Sequence, residues 1–236
     1  MTEVITVTID GRKIQAAPHT TILEAARGAH IDIPTLCYNE SLTPYGACRL
    51  CMVEITEGKR TRLVASCIYE ISEGLVVETD TPRVKNVRRL VMELLLARNP
   101  KHPALLAMAS RVGVSSSRFP AEVKGCILCG QCVRACREVV GVSAIGFAGR
   151  GVHRKVTTPF GEAPPDCIAC GSCAYVCPVD VIRMEQNDGV RRIWNTDFEM
   201  VRCEDTGRYI APKKQLEYVS RITGLSVEHL AARHCR

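Results

Sequence analysis

Two cysteine-rich stretches decide the fold of the second half of this chain. Residues 126–136 read CILCGQCVRAC, and residues 167–178 read CIACGSCAYVCP. Each stretch places three cysteines with two residues between them and a fourth cysteine after three more residues. Three thiolates in one tight loop can hold one face of a cubane cluster, while the fourth, at the start of a helix, points away towards a second cluster. The two stretches therefore predict two [4Fe–4S] clusters that exchange ligands.

This exchange assigns four cysteines to each predicted cluster. Cluster A takes Cys126, Cys129, Cys132 and Cys177. Cluster B takes Cys167, Cys170, Cys173 and Cys136. Gly130 and Gly171 fall inside the loops, where the backbone must approach the cluster closely and a Cβ is unwelcome. Paired zinc sites are the alternative, but zinc prefers two separated cysteine pairs, so the quadruple motifs favour iron and sulfide.

A third group of four cysteines lies in the first half of the chain, at Cys37, Cys48, Cys51 and Cys67. Its spacing is not that of plant-type ferredoxins, whose first gap is shorter. Alone, the group suits zinc as well as iron. A loop followed by hairpin strands could gather the four thiolates. Beside two cubane motifs, on a strand-rich segment, the group favours a [2Fe–2S] cluster.

The apolar pattern predicts an α+β fold with four segments. Residues 1–80 form a domain for the [2Fe–2S] site, and residues 81–120 form a helical connector. Residues 121–195 carry the two [4Fe–4S] motifs, and residues 196–236 form a short helical tail. Predicted strands cover residues 3–9, 13–17, 52–56, 63–66 and 75–79. Predicted helices cover residues 21–29, with Thr20 or Thr21 as cap, then 82–98, 104–110, 213–223 and 226–233.

Composition and missing motifs argue against several functions. The formal charge of +6 leaves out the charge of metal-bound thiolates, and aromatic residues make up only 5% of the chain. No nucleic-acid partner is therefore expected, because stacking platforms are few. The sequence has no strand-linked Gly-x-Gly-x-x-Gly and no P-loop, so we expect no NAD or flavin site. No nucleophile and base are arranged for catalysis, and no catalytic residues are assigned.

The sequence also argues against secretion and against insertion into a membrane. The residues after Met1 lack a basic region followed by an apolar one, so no secretory signal is expected. The longest strongly apolar stretch, residues 90–97, is short and contains Glu93, which argues against membrane insertion. We therefore expect a cytoplasmic protein whose thiolates are kept for metal.

Residues 33–38 (IPTLCY) and 46–51 (GACRLC) carry a family resemblance. They resemble the [2Fe–2S] domain that opens the large iron–sulfur subunit of respiratory complex I. The same module opens [FeFe]-hydrogenases, the small diaphorase subunit of NAD-reducing hydrogenases and NAD-dependent formate dehydrogenases. The resemblance covers roughly residues 3–190. It implies a β-grasp ferredoxin fold for the first domain and a bacterial-type 2[4Fe–4S] ferredoxin fold for the third.

The resemblance also implies a function. The chain would be a non-catalytic electron-transfer subunit that relays electrons through one [2Fe–2S] and two [4Fe–4S] clusters. Its partners would be a flavin- and NAD(P)-binding subunit and a second redox subunit. The second subunit could be a hydrogenase, a formate dehydrogenase or an electron-bifurcating transhydrogenase. A free-standing polyferredoxin carrier and a zinc-structured nucleic-acid-binding module are the alternatives.

Two departures from the family stand out. Family members usually carry a further [4Fe–4S] cluster held by one histidine and three cysteines, but no cysteine lies between Cys67 and Cys126. We expect that cluster to be absent and His102 to be a surface or capping residue. In the tail, Cys203 and Cys235 are left over. They are expected to be a relic with free thiols, or a weak site with His234 for zinc or a metal completed by a partner.

Overall fold

The computed structural model describes residues 4–121 and 125–234. The chain forms two compact units, which comprise residues 1–130 and 131–236. The boundary between them falls inside the first cysteine-rich stretch, between Gly130 and Gln131. Among the described residues, no helix combines the length and the apolar character needed to cross a bilayer.

A five-stranded mixed sheet forms the centre of the first unit. The unit contains, in chain order, β1 (Ile5–Ile9), β2 (Arg12–Ala16), α1 (Ile22–Gly28), β3 (Met52–Glu57), β4 (Arg60–Ala65), β5 (Val76–Glu78), α2 (Pro82–Arg98) and α3 (Pro103–Arg111). The strand order is β2-β1-β5-β3-β4, in which β1 and β5 are parallel and the other neighbours antiparallel. The sequence predicts each of these elements, and the prediction is confirmed.

Tight turns and alternating burial explain this sheet. Asp10 and Gly11 join β1 to β2, and their φ angles are 47° and 76°. Positive φ at both turn residues matches the twist of the flanking strands, which is why Asp-Gly signals a hairpin. The inward-facing side chains of β1, β3 and β5 have no exposed surface: Val7, Ile9, Val53, Ile55 and Val77.

A capping box fixes the start of α1. The Glu24 N–H donates to Thr21 Oγ1 at 3.3 Å, and the Thr21 N–H donates to Glu24 Oε2 at 2.8 Å. The box satisfies two backbone donors that the start of a helix leaves open. The helix then buries Ile22 and Leu23 against the sheet. The prediction of a cap at Thr20 or Thr21 is confirmed, with Thr21 in that role.

Side chains with specific hydrogen bonds place the two connector helices. Thr81 caps α2. Arg88 on α2 is only 8% exposed and donates from Nη2 to the carbonyl oxygen of Met52 on β3 at 2.8 Å. His102 caps α3, and its Nδ1 accepts from the Ala104 N–H at 3.3 Å. The prediction that His102 is a surface or capping residue is therefore confirmed, and its role is that of a cap.

The second unit combines short helical turns with two antiparallel sheets. It contains, in chain order, α4 (Gln131–Arg134), a π-helical turn at Ala135–Val139, β6 (Gly146–Ala148), β7 (Lys155–Thr157), α5 (Ser172–Tyr175), β8 (Met184–Asn187), β9 (Val190–Ile193), β10 (Thr196–Arg202), β11 (Tyr209–Pro212), α6 (Lys213–Thr223) and α7 (Val227–His234). One sheet pairs β6 with β7, and the other has the order β11-β10-β9-β8.

The predicted helical tail also contains two strands, in residues 196–212, that were not predicted from the sequence. These residues form β10 and β11 of the four-stranded sheet. β9 and β10 are joined by a two-residue turn at Trp194 and Asn195, with φ angles of 53° and 56°. Trp-Asn is not among the residue pairs that signal such a turn, so this hairpin has no strong local signature. The two helices predicted in the tail, α6 and α7, are confirmed.

Candidate metal centres

The first unit gathers four thiols in its loops: Cys37, Cys48, Cys51 and Cys67. None of the four is in a disulfide, and none exposes more than 6% of its surface. The Cys48 N–H donates to Cys37 Sγ at 3.4 Å, and Cys51 Sγ lies 3.4 Å from Cys67 Sγ. Cys67 also interacts electrostatically with Cys37 and Cys48. The fold therefore brings together thiols from the loop after α1, the loop before β3 and the turn after β4.

Contact among these thiols changes their acidity. The hydrogen bond with Cys67 lowers the pKa of Cys51 to about 7, against the effect of burial. The same hydrogen bond, together with burial, raises the pKa of Cys67. In the other pair, the hydrogen bond with Cys37 and then burial raise the pKa of Cys48. Four buried sulfurs that compete for protons are suited to bind metal ions in place of those protons. The metal could be the iron of a [2Fe–2S] cluster or tetrahedral zinc.

A close backbone approach holds the cysteine loop of the first unit in place. Gly46 has φ +66°, and a Cβ at this position would lie 2.9 Å from Ile68 Cδ1. Because Ile68 follows Cys67, the glycine lets the loop of Cys48 pack against the turn of Cys67.

Arg88 brings a buried positive charge to the same region. It donates to the carbonyl oxygen of Met52, the residue that follows Cys51. Its Nε has no hydrogen-bond partner among the residues that the structure describes. Burial lowers the pKa of this guanidinium, and the negative charges of Asp80 and of a Cys51 thiolate act in the opposite direction. A negative centre at the four thiols would therefore stabilise a charge that is otherwise poorly compensated.

In the second unit, one cavity is lined by all four cysteines assigned to cluster B: Cys136, Cys167, Cys170 and Cys173. The first lies in the π-helical turn after α4, the next two in the loop before α5, and the last on α5. All four are free thiols. Among the described residues, no group of three or more His, Cys, Asp or Glu side chains already has the geometry of a metal-ion site, either here or at the four thiols of the first unit.

Backbone donors point at the sulfurs of this cavity. The Ala144 N–H donates to Cys136 Sγ at 3.2 Å, and the Ala169 N–H donates to Cys167 Sγ at 3.4 Å. Burial raises the pKa of both cysteines, and these hydrogen bonds oppose the rise. Burial also raises the pKa of Cys173, to about 11. Apolar walls combined with N–H groups aimed at sulfur suit thiolates whose charge is shared with a cluster.

The two cysteine-rich loops have the same local backbone conformation. Leu128 and Ala169, at matching positions, have φ angles of 55° and 54°, and Gly130 and Gly171 have 75° and 83°. The Leu128 N–H donates to Cys126 Sγ at 3.4 Å, as the Ala169 N–H does to Cys167. The internal repeat in the sequence is therefore also a repeat of loop structure.

The cysteines assigned to cluster A divide between the two units. Cys126 and Cys129 belong to the first unit, and Cys132 and Cys177 belong to the second. None of the four is in a disulfide. In the first unit, Arg98 Nε donates to the carbonyl oxygen of Cys126 at 3.0 Å and attaches the start of this loop to the end of α2. The ligand set of cluster A remains a prediction.

Cys203 differs from the other described cysteines. It is disulfide-bonded, so the expectation of a free thiol is wrong at this position. It lies in a tight turn in which the Thr206 N–H donates to Cys203 Sγ at 3.3 Å and the Gly207 N–H donates to the Cys203 carbonyl at 3.0 Å. Cys235 and the side chain of His234 lie outside the described residues.

Two side chains near the cluster B cysteines were not identified from the sequence. Arg191 on β9 donates from Nη1 to the carbonyl oxygen of Ala169 at 2.9 Å, and its other nitrogens donate to Gln186 Oε1. Trp194, in the next turn, lines the cavity. The one sequence signal that could have located Arg191 is the dipeptide Asp188-Gly189, because Asp-Gly predicts a hairpin and Arg191 lies on its second strand.

Comparison with known families gives the class of protein. Residues 2–82 match a 2Fe-2S iron-sulfur cluster binding domain, and residues 121–184 match a 4Fe-4S dicluster domain. The chain therefore contains binding domains for both kinds of cluster. The mixed helix and sheet fold predicted from the sequence is confirmed at this level.

Individual relatives narrow this class. The chain is 35% identical to a subunit of the NADH-quinone oxidoreductase of Rhizobium meliloti (strain 1021), over 75% of this chain and 24% of the relative. It is 31% identical to the alpha subunit of the NADPH-Fe(3+) oxidoreductase of Geobacter sulfurreducens (strain DL-1 / KN400), over 92% of this chain and 28% of the relative. It thus spans about a quarter of the length of these curated relatives.

A solved structure matches nearly the whole chain. One chain of the NAD+-reducing [NiFe]-hydrogenase in the H2-reduced state aligns with a TM-score of 0.66 and 26% identity. The alignment covers 95% of this chain and 97% of that one. Together with the curated relatives, it confirms the predicted resemblance to iron–sulfur subunits of NAD(P)-linked oxidoreductases.

Proposed function

We propose that this chain relays electrons through one [2Fe–2S] and two [4Fe–4S] clusters inside a multi-subunit NAD(P)-linked oxidoreductase. One observation carries the proposal: thiols from two separate cysteine-rich stretches line a single cavity, and backbone N–H groups point at two of the sulfurs. Clusters held in this way accept and release single electrons. The chain itself would supply ligands, hydrogen bonds and an apolar surrounding.

The ligand sets follow the cysteine groups. The [2Fe–2S] cluster would be held by Cys37, Cys48, Cys51 and Cys67. Cluster A would be held by Cys126, Cys129, Cys132 and Cys177, and cluster B by Cys136, Cys167, Cys170 and Cys173. The strand order of the first unit is consistent with a β-grasp ferredoxin domain at residues 1–80. A helical connector (81–120), a bacterial-type ferredoxin domain (121–195) and a C-terminal segment (196–236) complete the proposed organisation.

The partners are inferred from the relatives. Their names refer to NADH, NADPH and NAD+, whereas this chain has no recognisable nucleotide motif. A flavin- and NAD(P)-binding subunit would therefore exchange electrons with it on one side. A second redox subunit, such as a hydrogenase, formate dehydrogenase or transhydrogenase, would do so on the other. A cytoplasmic location suits the twelve cysteines that are outside disulfides, because thiolates that bind metal need a reducing compartment.

Anaerobic affinity purification of the full chain from its own host tests this function. We expect brown protein with about ten iron atoms and a matching amount of sulfide per chain, together with co-purifying flavoprotein and redox subunits. Fewer than about six iron atoms after reconstitution would contradict the three-cluster assignment. Zinc without sulfide, combined with salt-dependent binding to DNA or RNA, would support the zinc module instead. A stable monomer with all three clusters would support a free-standing carrier.

The buried guanidinium of Arg88 gives a prediction about the [2Fe–2S] cluster. The substitution Arg88→Met is expected to make its reduction potential more negative, because a positive charge near Cys51 no longer favours the reduced state. Redox titration followed by EPR measures the shift. Arg89→Met, an exposed position on the same helix, is the matched control and should leave the potential almost unchanged. Equal shifts in both variants would contradict the prediction, because the buried position of Arg88 would then have no specific effect on the reduction potential.

A further inference from the structure

The turn between β9 and β10 holds the chain's one tryptophan in an unusual backbone conformation. Trp194 has φ 53° and is followed by Asn195 at φ 56°. Glycine, asparagine and aspartate usually occupy such positions, and a bulky side chain there is strained. The pairing of Ile193 with Thr196 and a 3.2 Å hydrogen bond from Thr196 Oγ1 to the Trp194 carbonyl keep the turn closed. Strain that the fold maintains in this way often marks a functional position.

The indole of Trp194 lies at the cavity of the cluster B cysteines. It is partly buried and packs against the apolar cluster that includes Cys136, Cys167 and Cys173. It also lines the cavity that these thiols share with Cys170. The Trp194 side chain acts on the Cys173 thiol and opposes the rise in pKa that burial causes. The strained turn therefore places a fixed donor beside a predicted ligand sulfur.

Neighbouring contacts hold this turn against the cysteine loop. Arg191, on the strand before the turn, donates to the carbonyl oxygen of Ala169 at 2.9 Å. On β8, Met184 packs closely over Gly171, where an added Cβ would lie 2.8 Å from its Sδ. Ile193 is 2% exposed and also lines the cavity. One end of the four-stranded sheet thus forms a wall of the cavity. Of its two residues that line the cavity, Ile193 and Trp194, only the tryptophan has a side-chain N–H.

We propose that Trp194 is a positioning residue for cluster B, and that its N–H···S hydrogen bond to Cys173 raises the reduction potential of that cluster above the value it would otherwise have. The inference rests on the proposed function. Reduction adds negative charge that spreads onto the ligand sulfurs, so a donor at one of them stabilises the reduced form more than the oxidised form. The indole also covers the thiols and limits the access of water.

The substitution Trp194→Phe tests this role, because it keeps an aromatic ring in the turn and removes the N–H. We expect unchanged iron and sulfide content, a more negative midpoint potential for one [4Fe–4S] cluster, and unchanged potentials for the other two clusters. Pulsed EPR spectra in H2O and D2O identify couplings to exchangeable protons. One such coupling of the parent chain should be missing in the variant. Tyr175→Phe, which alters an exposed aromatic residue on α5, is the control and should reproduce the parent chain.

A second replacement covers the case in which the phenylalanine variant fails to assemble cluster B. Because the chain has one tryptophan, synthesis with benzothienylalanine in place of tryptophan exchanges only this N–H for sulfur and keeps the ring shape. The same loss of coupling and the same potential shift are expected. Unchanged potentials and coupling in the replaced chain would overturn the inference while leaving the proposed function intact. A parent chain without four-iron clusters would instead overturn the proposed function.

Discussion

The double substitution Cys136→Ser and Cys173→Ser is expected to remove about four iron atoms per chain, no more than either substitution alone. Both cysteines line the same cavity, although they belong to different cysteine-rich stretches. Each single variant should therefore lose one [4Fe–4S] cluster, and the second substitution then removes a ligand of a cluster that is already lost. Iron and sulfide analysis after anaerobic reconstitution gives the count, and EPR of the reduced chain shows which signals remain.

This double substitution separates two modes of ligation. If each stretch held its own cluster, Cys136 and Cys173 would belong to different clusters, and the doubly substituted chain would lose about eight iron atoms. A loss of eight would thus refute ligand exchange. The control is Cys203→Ser, which changes a disulfide-bonded cysteine outside the three groups and should retain about ten iron atoms.

The parts of the fold that could be predicted are those with local signals. Asp10-Gly11 specifies a hairpin because both residues tolerate positive φ. Thr21 with Glu24 specifies a helix start because each satisfies a backbone donor of the other. Thr81-Pro82 and Asn99-Pro100 bracket α2, and the observed helix, Pro82–Arg98, has the predicted bounds. In each case, residues within a few positions of one another determine the structure.

Apart from the Asp188-Gly189 turn between β8 and β9, the four-stranded sheet of the second unit has no local signal of this kind. Every residue of β8 is exposed, so the strand has no alternation of buried and exposed side chains for a pattern to detect. The turn at Trp194 and Asn195 uses a residue that usually avoids positive φ. Contacts with the cysteine loop hold this hairpin, and those contacts join residues far apart in sequence.

The candidate sites also contain residues that local sequence signals indicate and residues that only distant contacts bring together. Cysteine spacing indicates the ligands, because the geometry of a cluster restricts how a loop can surround it. The groups that would tune the clusters follow no spacing rule. Arg88 lies 36 positions from Met52, whose carbonyl it contacts, and Arg191 lies 22 positions from Ala169. Such contacts depend on the packing of whole elements, so only a structure reveals them.

Substitution of Cys51 by serine is expected to remove about two iron atoms per chain and leave about eight, with both [4Fe–4S] signals retained. Cys51 is 1% exposed and belongs to the apolar core of the first unit. Serine nearly preserves the shape of cysteine but is a poor ligand for iron, so the cluster should be lost before the fold is. Iron analysis, the visible spectrum and EPR of the reduced chain measure the change.

The same substitution decides whether the first cysteine group binds iron or zinc, which its spacing and its four buried sulfurs leave open. If the group is a structural zinc site, Cys51→Ser would lower the zinc content by about one per chain and leave iron and colour unchanged. Persistence of the [4Fe–4S] signals is the internal control, because their proposed ligands belong to other cysteine groups. Loss of every cluster at once would show that the first unit does not hold its metal independently, because a separate [2Fe–2S] site predicts the selective loss of its own iron.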